Sequence, residues 1–234
     1  MEVRIAILLL VLGSAVGMTK ADQNKTDVVE RLQSATSTLQ ADAKDIPDNV
    51  LRGAKCVGIV PSMIKGAFVV GAKHGRGVAT CRLPNGHWSA PAFFTISGGS
   101  FGLQIGAEDV QLVLMVMTDE GMRHLMRDKF QIGGTASAAA GPVGRDAQAG
   151  TDWKVETQIL SYSKAKGVFA GIDLGGSWIE QDKDSTVALY GKDYTHKQIL
   201  DGHVAPTTDA HQLLAEVHRL QMHAEEKKTA KAAS

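Results

Sequence analysis

Eleven of the 25 glycines lie in residues 49–107, a stretch of 59 residues without an aspartate or glutamate. Glycine at this density disfavours helix, and the segments between the glycines are short and rich in Val, Ile, Phe and Thr, which suits strands. Residues 55–60, 67–73, 77–83, 88–96, 100–107 and 110–117 read as six strands. The surest turn is Pro84-Asn85-Gly86, because Asn-Gly supplies the positive φ values of a tight hairpin between apolar runs. Residues 110–117 (VQLVLMVM) are almost wholly apolar and are expected to form the most buried strand.

Two glycine series recur every fourth residue: Gly98, Gly102, Gly106, and Gly167, Gly171, Gly175. Along a strand such positions share a face, so each series strips side chains from one sheet surface. A segment can then cross closely, or the sheet can coil sharply.

The glycine-rich stretch also contains Arg52, Lys55, Lys65, Lys73, Arg76 and Arg82, although the whole chain balances 25 Lys and Arg against 25 Asp and Glu. The distribution of charge therefore matters more than its total. The cations either form a basic patch that holds an anionic surface, or sit on solvated strand faces paired with acids from Glu108 onward.

Helical patterning flanks the strand region. Val28, Leu32, Ala35 and Leu39 mark the apolar stripe of an amphipathic helix over residues 22–43, in an N-terminal segment extending to residue 45. Ile46-Pro47 ends it, and a short helical turn is expected over 48–54. Thr118 begins another helix with Met122, Leu125 and Met126 on one face. Residues 153–163, 167–174 and 177–181 read as strands, and 183–190 and 195–200 as short helices. A last helix opens at Asp209 with Gln212 placed for a capping box, inside a C-terminal segment 207–234 whose polar tail is expected to be disordered.

Residues 1–17 read as an export signal: a short start with Arg4, an apolar run over 5–12, then small residues. Cleavage is expected after Gly17 or Ala21. The run is shorter than the roughly 20 residues of a membrane span; the alternatives are an uncleaved anchor and a buried helix. In an exported protein Cys56 and Cys81, on neighbouring strands, are expected to form a disulfide closing about 25 residues; the alternative is two buried thiols.

Few motifs of reaction chemistry are present in the sequence. No GxxxxGK[ST] occurs, and Gly75-Arg76-Gly77 is a bare GxG followed by strand residues. His211 and His218 are seven apart, with His223 nearby, and lack the three- or four-residue spacing of a helical zinc site. Ser100 stands between Gly98-Gly99 and Gly102, yet strand continues after it where a nucleophile elbow requires a helix. His74 and His87 add charge to the basic stretch in mild acid. No enzyme activity, cofactor, metal or nucleic-acid partner is expected.

A family resemblance rests on Ile46-Pro47, residues 54–61 (AKCVGIVP), 65–71 (KGAFVVG), 75–78 (GRGV), 88–91 (WSAP), 99–108 (GSFGLQIGAE), 141–145 (GPVGR) and 162–171 (YSKAKGVFAG). In this order and spacing they resemble the SYLF domain, a lipid-binding module of exported bacterial proteins and of eukaryotic endocytic proteins. The resemblance implies a non-enzymatic phospholipid-binding domain over residues 46–200. In eukaryotic members it implies phosphoinositide binding aided by a basic N-terminal helix, and in some of them actin binding. Here that helix carries Asp27, Glu30 and Asp42 against Arg31 and Lys44, so the cations lie downstream in the strands. For an exported chain the natural target is an anionic headgroup such as phosphatidylglycerol or cardiolipin.

The expected fold is α+β: a coiled, mostly antiparallel sheet of about eight strands, or a barrel, flanked by N- and C-terminal helices. The expected function is anionic-phospholipid binding in the periplasm or cell envelope, peripheral to a membrane, through Arg52, Lys55, Lys65, Lys73, Arg76 and Arg82. The alternative is an envelope scaffold that binds another polypeptide.

Overall fold

The computed structural model describes residues 20–143, 157–165, 168–169 and 174–233. The expected export signal lies outside them, as do Arg145, Lys154, Gly167 and Gly171. Among the described residues no helix is long and apolar enough to cross a membrane.

The six short strands expected over 55–117 are two long ones, β1 (Cys56–Cys81) and β2 (Ala92–Val116), paired antiparallel along their length. Glycine punctuates the sequence there without ending a strand. The ladder is irregular between Val60 and Met63 and between Ala67 and Val69, where the register shifts. Shifts of this kind bend a ribbon and raise its twist. The curl is severe: a straight strand of this length would span about 80 Å, yet the Cα atoms of Cys56 and Cys81 lie 4.0 Å apart and the two residues are disulfide-bonded. A Cβ on Gly77 would lie 2.5 Å from Phe94 Cζ and 2.8 Å from the Ile59 carbonyl oxygen. One on Gly75 would lie 2.7 Å from Val60 Cγ1. These two glycines let the returning half of β1 pack against its first half.

The hairpin turn forms as expected. Gly86 has φ +85°, its N–H donates to the Leu83 carbonyl at 2.9 Å, and the Leu83 N–H donates to the His87 carbonyl at 2.7 Å.

The opposite edge of β2 is shared. Its C-terminal half pairs with β5 (Ile159–Ala165) and its N-terminal half with β7 (Trp178–Gln181). β3 (Lys129–Gln131) extends from β7, β4 (Ala138–Ala140) lies parallel to β5, and β6 (Val168–Phe169) pairs antiparallel with it. The described residues thus contain a curled, mostly antiparallel seven-stranded sheet with helices before, within and after it, an α+β fold.

Both faces of the sheet are buried. Leu112, Leu114 and Val116 join Phe94, Ile96 and Val60 in a first core with Leu125, Ile199 and Leu200. The alternate residues Val113 and Met115 join Phe93, Ile59 and Tyr162 in a second core. That second core is covered by α1 (Lys20–Asp42), through the expected stripe of Val28, Leu32, Ala35 and Leu39, and by α6 (His211–Ala233), through Leu213, Val217 and Ala224. Residues 110–116 are buried apart from the half-buried Gln111, and the segments 56–60 and 78–81 of β1 are buried throughout, so the strand expected to be most buried shares that place with β1.

Between these lie α2 (Asp48–Gly53), α3 (Asp119–Leu125), α4 (Lys183–Tyr190) and α5 (His196–Leu200). Thr118 caps α3, its Oγ1 accepting from the Gly121 N–H at 3.0 Å. The capping box heads α5, through Thr195 and Gln198. At the last helix, where Gln212 was expected to supply one, a 3-10 turn over Thr208–Ala210 leads into α6 instead. The polar tail, expected to be disordered, continues α6 to Ala233. Lys227 reaches Asp48 at 3.3 Å, and Arg52 Nη1 donates to the Ala224 carbonyl at 3.1 Å, so long-range polar contacts supply what the tail's weak apolar pattern does not.

Candidate functional site

Where the two ends of β1 meet, the residues flanking the disulfide are both cationic. Lys55 precedes Cys56 and Arg82 follows Cys81, and the Arg82 N–H donates to the Lys55 carbonyl at 2.7 Å. This seam forms one wall of a groove of about 560 Å³. The hairpin contributes Leu83 and Pro84, α3 and its C-terminus contribute Asp119, Met122 and Met126, and the end of α5 contributes Leu200, Asp201 and His203. Gly202, with φ +82°, allows the hairpin to close on α5, because a Cβ there would stand 2.9 Å from Leu83 Cδ1.

The groove has an apolar floor and a charged rim. Lys55 Nζ pairs with Asp119 Oδ1 at 2.7 Å, and Asp201 is paired with Lys197, one turn away on α5. Arg82 is exposed and, among the described residues, makes no ion pair. The rim therefore carries one uncompensated cation with a second beside it whose carboxylate partner is itself largely exposed. A volume of this size is ordinary for a small-ligand site.

The other four basic residues are placed elsewhere. Arg52 is half-buried and bonded to the α6 backbone. Lys65 is half-buried on β1 opposite Glu108. Lys73 is 3% exposed, and its chain crosses Gly98, whose Cβ would lie 3.1 Å from Lys73 Cε; at this position the glycine series serves close crossing. Arg76 donates to Asp182 Oδ2 through Nε at 3.2 Å and Nη2 at 3.0 Å, and to Ser185 Oγ at 3.0 Å.

Asp182 anchors a buried polar cluster. It caps α4, its Oδ1 accepting from the Ser185 N–H at 3.1 Å, while Oδ2 also accepts from Ser185 Oγ at 2.7 Å and Arg31 Nη1 at 3.0 Å. Burial alone would raise this carboxyl's pKa. The Ser185 hydrogen bonds, with the charges of Arg76 and Arg31, outweigh that and hold it below the ordinary carboxylate value. The cluster ties α1, β1 and α4 together, which makes Arg76 a structural cation. Arg31 was legible only as a charge beside the apolar stripe of α1.

Residues 97–220 match the Ysc84 family model, described as "Las17-binding protein actin regulator". The SH3 domain-containing protein PJ696.02 of Schizosaccharomyces pombe is 37% identical over 163 residues, 68% of this chain and 38% of that protein. The SH3 domain-containing YSC84-like protein 1 of Xenopus laevis is 31% identical over 196 residues, 83% of this chain and 58% of that protein. Protein YSC84 of Saccharomyces cerevisiae is 34% identical over 172 residues, 72% of this chain and 36% of that protein. The chain belongs to the Ysc84, or SYLF-domain, family. It spans between 36% and 58% of the length of these relatives.

Proposed function

We propose that this chain is an exported, non-catalytic docking domain of the cell envelope that binds anionic phospholipid headgroups at the seam groove. The observation that carries this reading is Arg82, without an ion pair and next to Lys55 across the seam, in a groove whose apolar lining includes Leu83, Met122, Met126 and Leu200. An anionic amphiphile matches that arrangement, its phosphate on the rim and the start of its chains on the floor. The apolar stripe of α1 is buried in the second core, so docking through the groove needs no helix insertion.

Co-sedimentation with vesicles tests it. Binding is expected to vesicles containing phosphatidylglycerol and not to pure phosphatidylcholine, and to weaken as salt screens the rim. Arg82→Gln should weaken binding about fivefold, since one cation near a charged surface contributes about 1 kcal/mol. Asp119→Asn should strengthen it by freeing Lys55. Equal binding to both vesicles, insensitive to salt, excludes the mechanism. Export predicts a mature N-terminus at Met18 or Asp22, read by mass spectrometry.

A second reading, a polypeptide partner, is favoured by the family's description as Las17-binding and by Met122 and Met126, whose flexible side chains suit varied peptide surfaces. A single protein captured by crosslinking in intact cells, together with no vesicle binding, would select it.

A further inference from the structure

We propose that the Cys56–Cys81 bond assembles the seam groove, so that only the oxidised chain has a competent site. In its binding readout this rests on the anionic-lipid reading; in its structural readout it does not.

The two cations of the seam wall, Lys55 and Arg82, flank opposite ends of one 26-residue strand. Pairing with β2 does not bring those ends together, because Cys56 registers with Val116 and the other end of β1 registers with the start of β2, Ala79 opposite Ala92. At the mouth of the seam, beside the disulfide, the Arg82 N–H donates to the Lys55 carbonyl at 2.7 Å. The bond also holds two like charges side by side, which oppose closure. The interior of the curl has separate support, from Gly75 and Gly77 packed on Val60 and Ile59 and from the two cores. Losing the bond should therefore open the seam while the sheet persists.

Both cysteines are fully buried, so oxidation belongs to folding, before the curl closes. The Cys56 thiolate attacks a small-molecule or protein disulfide, releasing one thiol and leaving a mixed disulfide. The Cys81 thiolate then attacks the Cys56 sulfur and releases the second thiol, so the chain loses two electrons and two protons while the oxidant's S–S bond is reduced. Once made, the bond is shielded, and the site is committed at maturation. A chain folded in a reducing compartment would have the sheet without the groove.

The test compares the full chain refolded with a disulfide oxidant, refolded with a phosphine reductant, and carrying C56A/C81A. Far-UV circular dichroism, hydrogen exchange at the Arg82 amide, and binding to phosphatidylglycerol vesicles are measured on each. Without the bond, the dichroism should be retained, the Arg82 amide should lose its protection, and vesicle affinity should fall at least fivefold, to the level of Arg82→Gln. Equal Arg82 protection in all three overturns the proposal, and so does global unfolding of both bond-free forms. If the Arg82 amide responds but the oxidised chain binds no vesicles, the assembly role stands and the lipid reading fails.

Discussion

Asp182 receives two guanidinium groups of unequal exposure: Arg31 is 8% exposed and Arg76 46%. Removing the carboxylate charge leaves Arg31 buried beside a second cation. Asp182→Asn, which preserves a helix-capping side chain, is expected to cost roughly 3 kcal/mol, read from the urea midpoint. Arg76→Gln should cost less than about 1 kcal/mol, because its side chain is half in water. The carboxyl's folded-state pKa is depressed, so its stabilising contribution is present above the ordinary carboxylate value and is lost as pH falls through the lowered one. A urea midpoint for the wild type that falls in acid faster than that of Asp182→Asn is the expected signature. At this scale the sequence was half legible. It displayed the cations of residues 49–107, but Arg76 meets its carboxylate 106 residues away, a separation that no local pattern encodes.

The elements were read best where a local chemical rule decides them. Asn85-Gly86 demanded a tight turn, Thr118 a helix start, and the spacing of Val28, Leu32, Ala35 and Leu39 a helix packed by one face; all three hold. β1 and β2 were each divided into three because glycine commonly marks a strand end. At Gly75 and Gly77 it sits inside the strand for lack of room, which depends on what lies across the curl. Gly77→Ala pushes a methyl group into the Phe94 ring and the Ile59 backbone and should cost about 1–3 kcal/mol. Gly99→Ala, with nothing within 4 Å of its Cβ, should stay within about 0.5 kcal/mol. Thermal melts of the two variants decide whether glycine at 77 is there for space: equal melting temperatures would refute the close packing of the curl. The groove is not legible in the sequence for a related reason, since Asp119, Met122, Leu200 and His203 lie far from Arg82 along the chain and meet it only in the folded structure.

For the whole molecule, the decisive fact is that one sheet separates two cores and belongs to both. Consecutive residues of β2 alternate between them, Leu112 and Leu114 into the first, Val113 and Met115 into the second. Neither core can dissolve without distorting the strand that carries the other. The helices cannot form separate units, because α1 and α6 cover only the second core and have little apolar surface of their own beyond that contact. Unfolding should therefore be a single transition, with far-UV circular dichroism, tryptophan fluorescence and near-UV circular dichroism coincident in urea. Leu213→Ala removes a buried side chain from α6 in the second core and should cost about 2–5 kcal/mol. Leu112→Ala does the same in the first. If the cores are coupled through the sheet, each variant moves all three signals by the same amount. A variant that shifts one probe and leaves another at the wild-type midpoint would show that helix layer and sheet unfold separately, and that the shared strand does not transmit the loss.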